Sequence, residues 1–200
     1  MKRYIPRLID QELANALKIA GAVLIRGPKA CGKSETAKQQ AASTLQVDRD
    51  PQVPNIMNID PNILLSGNTP RLIDEWQVQP RLWNYVRHAV DERSDRGQFI
   101  LTGSANPTED ISMHSGAGRF IELKMRTMSW QELGHCDGYV SLAGLFDGQP
   151  ITSREYRTNI HDLISWLVIG GWPGLIDTDE AGARQINASY VKLLAEVDMS

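Results

Sequence analysis

One segment constrains the fold of this chain more than any other feature: residues 27–34, with the sequence GPKACGKS. It follows a short apolar run, AVLI at residues 22–25, and precedes alanines and a leucine at helical spacing. A short continuous apolar run is typical of a parallel strand that is covered on both faces. The segment is therefore predicted to be a tight turn between a buried strand and a helix that runs from Lys33 to about Leu45.

This turn matches the pattern G-x-x-x-x-G-K-[ST] in full. In a loop of that kind, backbone N–H groups point inward and the following helix contributes the positive end of its dipole, so that a polyphosphate is held. Lys33 is placed to reach the β- and γ-phosphates, and Ser34 to put its hydroxyl on Mg²⁺. A glycine turn with an incidental lysine is the competing interpretation. The nucleotide-binding set that we predict is Gly27, Pro28, Ala30, Cys31, Gly32, Lys33, Ser34 and Glu35.

A pair of acidic residues follows a second apolar stretch, Leu72-Ile73. At the carboxyl end of a strand, Asp74 is placed beside the metal and Glu75 beside a water molecule, where a carboxylate can act as a general base. A solvated turn is the alternative, and the upstream loop favours the functional interpretation. Because Pro70 cannot donate a ladder hydrogen bond, this strand is predicted to be short.

Three further polar positions are candidates for the chemistry. Thr102 and Ser104 end a strand that is predicted to finish at the same sheet edge as Asp74, and we favour Ser104 as the residue that orients the water or senses the γ-phosphate. Arg119 closes a glycine-rich loop and is predicted to stabilise charge on the transferring phosphoryl group, in its own subunit or in a neighbour's. A capped turn and a surface arginine are the alternative interpretations.

Strand-like and helical patterns alternate along the first 140 residues. Further helices are predicted from Asp10, acting as N-cap, to Gly21, and from Pro80 to about Ser94. Alternation of this kind is typical of an α/β fold with an open parallel sheet. The remaining strands are predicted at Val53–Ile59, Leu72–Asp74, Phe99–Thr102 and Phe120–Met125.

Beyond the predicted core of residues 1–140, turn signals mark a second region. Residues 141–200 are predicted to form a small helical lid and the start of a C-terminal domain. Thr152 and Glu155 resemble a capping box that opens a helix ending at Gly170. The last helical pattern reaches Ser200 without a terminating signal, so the chain is expected to stop before its last domain is complete.

Composition narrows the class of protein. The 200 residues are 42% hydrophobic and 22% charged, as in a globular protein. The net charge is −3, so the chain has no overall excess of positive charge that would indicate binding to nucleic acid or to an anionic membrane. Cys31 and Cys136 have no paired spacing, so neither a disulfide framework nor a zinc site is predicted and the chain is expected to be cytoplasmic. The longest apolar stretch, Leu163 to Ile169, is far too short to cross a membrane. A solvated basic face is predicted from Lys2, Arg3, Arg7, Arg26, Lys29 and Lys38.

With these motifs, the chain resembles the AAA-like P-loop ATPases of bacteria and archaea that carry a C-terminal DUF4143 domain. The resemblance rests on GPKACGKS, LIDEWQ, LTGS, the arginine before the last strand, MSWQEL at residues 128–133 and GGWP at residues 170–173. It implies a P-loop NTPase three-layer sandwich with a five-stranded parallel core. It also implies Lys33 and Ser34 on nucleotide and Mg²⁺, carboxylate roles for Asp74 and Glu75, a sensor role for Ser104, and Pro173 near the adenine.

The leading functional hypothesis is Mg²⁺-dependent ATP hydrolysis coupled to a C-terminal effector or binding domain, with a homo-oligomer and a DNA or protein partner among the expected assemblies. The alternative is a nucleotide-gated binding or signalling module with little turnover. A GTPase or a small-molecule kinase is a weaker interpretation, because no [NT]-K-x-D tetrapeptide and no arginine-rich lid occur in the sequence.

Overall fold

A computed structural model describes residues 4–104, 116–136, 140–151 and 158–197. The chain folds into two compact units, Met1–Arg126 and Thr127–Ser200. The helices of the first unit are α1 (Ile9–Ile19), α2 (Lys33–Lys38), α3 (Val53–Ile59), α4 (Asn62–Leu65) and α5 (Leu82–Arg93). Its strands are β1 (Ala22–Arg26), β2 (Ser43–Gln46), β3 (Arg71–Asp74), β4 (Phe99–Gly103) and β5 (Phe120–Lys124).

The strands form one parallel sheet in the order β2-β3-β4-β1-β5. Ala22 of β1 lies opposite Phe99 of β4 on one side and Phe120 of β5 on the other. Asp74, the last residue of β3, lies opposite Thr102 of β4. The predicted α/β fold with a central parallel sheet is confirmed, and the register brings the carboxyl ends of β1, β3 and β4 to one edge.

The first unit is held together by a core between the sheet and α5. Leu24, Ile73 and Leu101 come from three adjacent strands and are 0–2% exposed. Apolar residues of α5 pack against them, and Trp83 of that helix stacks on Phe120 with 4.2 Å between ring centroids. The predicted helix at Pro80–Ser94 is confirmed, with two residues fewer at its start.

Two of the predicted elements are wrong. The helix after the glycine turn ends at Lys38, and Leu45 is instead buried in the strand β2. The segment Val53–Ile59 is the helix α3, with Val53 and Met57 buried one turn apart and a proline in its first turn, where no backbone N–H is needed. The alanine spacing predicts a longer helix, but the segment pairs as β2 with β3. This is a long-range contact that local periodicity does not indicate.

Helix α1 forms as predicted, but Asp10 is not its N-cap, which is Leu8. Asp10 lies in the first turn, and its carboxylate accepts hydrogen bonds from the Arg7 backbone N–H at 2.8 Å and the Tyr4 hydroxyl at 2.6 Å. Burial and this carboxylate raise the pKa of the Tyr4 hydroxyl well above its usual range. The segment before α1 is therefore anchored rather than loose.

The second unit contains the helices α6 (Leu142–Phe146), α7 (Ile160–Ile169) and α8 (Glu180–Val197) and a short 3-10 helix, Pro173–Leu175. Asn159 and Asp162 form the capping box that starts α7. Thr152 and Glu155, the predicted box, lie outside the described residues. The domain boundary at residue 140 stays a prediction. Among the described residues, no helix is long and apolar enough to span a membrane.

Leu101→Ala is expected to lower the free energy of unfolding by about 2–5 kcal/mol, because it deletes a fully buried side chain from the central sheet. Urea denaturation followed by circular dichroism measures the change. Ile59→Ala, at a side chain that is 81% exposed, is the matched control and should stay within about 0.5 kcal/mol of the unsubstituted protein. Equal losses in the two variants would contradict the described core.

Candidate functional site

The loop between β1 and α2 has a backbone that only particular residues tolerate. Ala30 and Gly32 have positive φ angles of 64° and 103°, which turn the chain sharply before Lys33. Gly27 lies directly against the end of β5, where a side-chain Cβ would overlap the carbonyl oxygen of Met125. Close packing against Met125 therefore requires glycine at Gly27, and a left-handed backbone favours glycine at Gly32.

Lys33 reaches back across this loop. Its side chain is buried, and its ammonium group donates hydrogen bonds to the carbonyl oxygens of Gly27 and Pro28, each at 3.0 Å. Cys31 is buried in the same loop, and burial raises the pKa of its thiol. Of the two lysines of the loop, Lys29 is exposed, whereas the ammonium group of the buried Lys33 lies against the loop backbone.

Ser34 and Asp74, the two predicted metal residues, are brought together. The Ser34 hydroxyl donates a 2.7 Å hydrogen bond to Oδ1 of Asp74, and the Thr102 hydroxyl donates to the same oxygen. Asp74 is 6% exposed, so these hydroxyls offset part of the cost of burying its carboxylate. Carboxylate and hydroxyl oxygens are the ligand type that Mg²⁺ prefers, and the donor set therefore fits that ion.

Of the two polar residues predicted near Asp74, Thr102 and Ser104, it is Thr102 that contacts its carboxylate. The register of β3 and β4 explains the outcome, since it places Thr102 directly opposite Asp74. Ser104 follows the end of β4, and its sensor role stays a prediction.

Glu75 sits at the turn that follows β3. Its φ of 55° and ψ of 44° are left-handed, which is uncommon for a residue with a side chain. Its carboxylate accepts a 2.5 Å hydrogen bond from the side-chain amide of Gln77. The two adjacent acids therefore have different partners: Asp74 contacts hydroxyls of the loop helix and β4, and Glu75 contacts Gln77.

Arg119 is not brought to this edge of the sheet. It directly precedes β5, and its carbonyl accepts a hydrogen bond from Ala22 at the amino end of β1, whereas the loop follows Arg26 at the other end, roughly 13 Å along the strand. The Arg119 guanidinium donates to Asp91 at 2.8 Å; this pairing raises the pKa of Arg119 and lowers that of Asp91.

Arg7 corrects the prediction of a solvated basic face. It is 8% exposed, and its guanidinium donates to the carbonyl oxygens of Cys31 at 2.9 Å and Arg126 at 2.8 Å. Arg7 thereby supports the loop from behind, a role for which charge pattern and periodicity carry no signal. Two other members of the predicted face are paired, Arg26 with Glu122 and Lys38 with Glu35.

Two predicted binding residues, Glu35 and Pro173, do not line the loop: Glu35 is largely exposed, and Pro173 belongs to the second unit. Glu35 accepts a hydrogen bond from Lys38 at 2.6 Å, and its side chain is 63% exposed. Pro173 starts the 3-10 helix of the second unit, and its role near an adenine stays a prediction.

Comparison with known proteins gives one family match. A family model described as an AAA domain matches residues 20–134. Uncharacterised proteins of Mycobacterium bovis and Mycobacterium tuberculosis are each 29% identical over 126 residues, 61% of this chain, and the match spans only 29% of the length of either relative. The structure of C. elegans PCH-2 is similar with 14% identity and a TM-score of 0.32, covering 74% of this chain and 48% of that one.

Arg7→Ala is expected to lower the free energy of unfolding by about 2–4 kcal/mol, because the carbonyl oxygens of Cys31 and Arg126 lose a charged donor. Chemical denaturation measures the loss. Arg49→Ala, which removes a 73% exposed side chain, is the matched control and should have little effect. A wild-type midpoint for Arg7→Ala would mean that the guanidinium does not support the loop.

Proposed function

The chain belongs to the AAA domain family, and on that premise we propose that it binds ATP with Mg²⁺ and hydrolyses the terminal phosphoanhydride bond. The observation that carries the proposal is the hydrogen bond from Ser34 to Asp74, at the edge of the sheet where Lys33 ends the glycine loop. This contact joins the two sequence motifs on which a nucleotide site depends. Glu75, whose backbone is in the left-handed region, directly follows Asp74 in the sequence.

The loop residues supply binding. The backbone N–H groups near Gly32 and the start of α2 offer donors to phosphate oxygens. Lys33 holds its ammonium group against two loop carbonyls, and exchange of those weak acceptors for phosphate oxygens would turn it toward the ligand. Ser34 and Asp74 would hold Mg²⁺, which when bound neutralises charge on the phosphates.

Glu75 is the residue that we assign to proton abstraction. Its carboxylate is half-buried beside the metal-binding pair and can take a proton from a water molecule that attacks the γ-phosphorus. Thr102 holds Asp74 in place from the neighbouring strand. Binding and proton transfer would then fall to adjacent residues of one chain, Asp74 and Glu75.

Arg119 is proposed to act on a neighbouring copy of this chain. Its position at the amino end of β5 keeps it from the loop of its own subunit. Its guanidinium is about 39% exposed and pairs with an equally exposed carboxylate, so the pair can exchange for phosphate contacts in an assembly.

The second unit is proposed to be the element that hydrolysis acts on. The family model ends at residue 134, and the described helices α6 to α8 lie beyond it. Resemblance to the DUF4143-bearing ATPases supports a C-terminal effector or binding domain with a protein or DNA partner. The alternative, a module that binds nucleotide without turnover, is tested by measuring ATP binding and hydrolysis of the unsubstituted protein.

Lys33→Ala and Glu75→Gln are expected to separate binding from turnover. Lys33→Ala removes a charge-assisted contact worth ~1.5–3 kcal/mol, so the Kd for ATP should rise at least about 10-fold. Glu75→Gln should retain ATP affinity and lose about 100-fold or more in kcat, because the base is gone. Fluorescent-nucleotide titration and phosphate release measure the two quantities.

Lys18→Ala and Glu92→Gln change exposed residues of the same types and are the controls. Turnover at the wild-type rate by Glu75→Gln would refute the assignment of the base. Tight ATP binding without hydrolysis by the unsubstituted protein, with and without DNA, would replace the ATPase proposal with the binding module.

A mixture of Arg119→Ala and Lys33→Ala proteins is expected to recover part of the wild-type activity, because intact sites form where an Arg119 of one copy meets a Lys33 of another. Steady-state hydrolysis is measured across mixing ratios. Arg81→Ala replaces Arg119→Ala in the control mixture. Absence of recovery at every ratio would argue against a shared site.

A further inference from the structure

The turn after β3 folds the chain back on itself. Glu75 is left-handed, and a short 3-10 helix of three residues, Trp76–Val78, follows at once. As a result, the Trp76 ring enters the core and is 1% exposed, while Gln77 returns to the end of β4. Three consecutive side chains therefore have closely defined positions at the edge of the sheet where the glycine loop begins.

The side-chain amide of Gln77 contacts Glu75 through its nitrogen. Gln77 Nε2 donates a hydrogen bond to Glu75 Oε2, so that a neutral donor faces a carboxylate. The carboxylate also fixes the orientation of the amide, since only the NH₂ end can donate. Glu75 is thus held from the side of the 3-10 helix.

The oxygen end of the same amide points at Gly103. A Cβ at Gly103 would overlap Gln77 Oε1 and lie 3.0 Å from the indole nitrogen of Trp76. Both atoms are buried, and neither has a hydrogen-bond partner among the described residues. The amide oxygen of Gln77 and the indole nitrogen of Trp76 therefore face the same glycine.

The geometry points to Gln77 as the positioning residue of Glu75. Its amide nitrogen donates to the carboxylate, and its amide oxygen lies against Gly103, close to the indole nitrogen of Trp76. This inference rests on the proposed hydrolysis at Glu75, and it gives a role to Gln77, the last residue of the LIDEWQ segment. Because the Gln77 amide contacts Glu75 at one end and lies close to the Trp76 indole nitrogen at the other, a displacement of the Glu75 carboxylate is expected to change the surroundings of the Trp76 N–H.

Gly103 is part of the same arrangement, because the Gln77 amide oxygen lies against it. It lies opposite Arg26, the residue directly before the glycine loop, so the anchor of Gln77 is part of the strand pair β1–β4. A methyl group there would displace the Gln77 amide without removing it. Gly103→Ala and Gln77→Ala therefore perturb the same contact by different means.

The first test separates turnover from binding. Gln77→Ala and Gly103→Ala should each lower kcat for ATP by about 10- to 100-fold, the cost of a misdirected catalytic group, and leave the Kd for ATP unchanged. Gln79→Ala, two residues along the same turn, is the matched control and should keep wild-type kcat. Wild-type kcat in Gln77→Ala, or a rise in Kd that accounts for the lost activity, would overturn the inference.

The second test does not depend on turnover. In ¹⁵N-labelled protein, the indole N–H signal of Trp76 is assigned with Trp76→Phe and followed on addition of Mg²⁺ and a non-hydrolysable ATP analogue. We expect the signal to shift in the wild type and to lose that response in Gln77→Ala. An unsubstituted protein that binds the analogue but does not hydrolyse ATP would sink the proposed function alone; the same indole response in wild type and Gln77→Ala would sink the positioning role.

Discussion

The hydrogen bond between Ser34 and Asp74 is the contact on which the proposed site depends, and it exists only because of sheet order. Ser34 lies on the helix after β1, and Asp74 ends β3, with β4 between the two strands. Thr102 of β4 donates to the same carboxylate oxygen, so the intervening strand completes the bridge. A different strand order would leave both motifs intact in the sequence and keep them apart in space.

Buried charge shapes the surroundings of this contact. Lys33, Asp74 and Arg7 are each under 9% exposed, and each has neutral partners: loop carbonyls for Lys33, hydroxyls for Asp74, and the carbonyls of Cys31 and Arg126 for Arg7. Neutral dipoles offset desolvation without cancelling the charge. In the proposed site, Lys33 and Asp74 are the groups that would contact a polyphosphate and a divalent cation, while Arg7 contacts the carbonyl oxygens of Cys31 and Arg126.

Local pattern predicted the elements that carry strong local signals and failed where pairing between distant segments decided the outcome. The continuous apolar strands and the long amphipathic helix α5 were predicted within a few residues. The region from Gln39 to Gln46 was not, because β2 owes its existence to β3 beside it. The sequence predicts a strand at Val53–Ile59, and this prediction is wrong because the apolar residues of the segment also fit one face of a helix.

The sequence by itself determined where the glycine loop with Lys33 and Ser34 lies and where the acidic pair lies, since each is a local pattern next to an apolar stretch. Only the tertiary structure decided that Thr102 meets Asp74, that Arg7 supports the loop, that Arg119 lies at the far edge and that Gln77 holds Glu75. The positions of Thr102, Arg7 and Arg119 depend on which strands and segments, distant in sequence, become neighbours in the fold. The Gln77 contact is close in sequence, yet it requires the left-handed turn at Glu75 and the burial of Trp76 against the completed core.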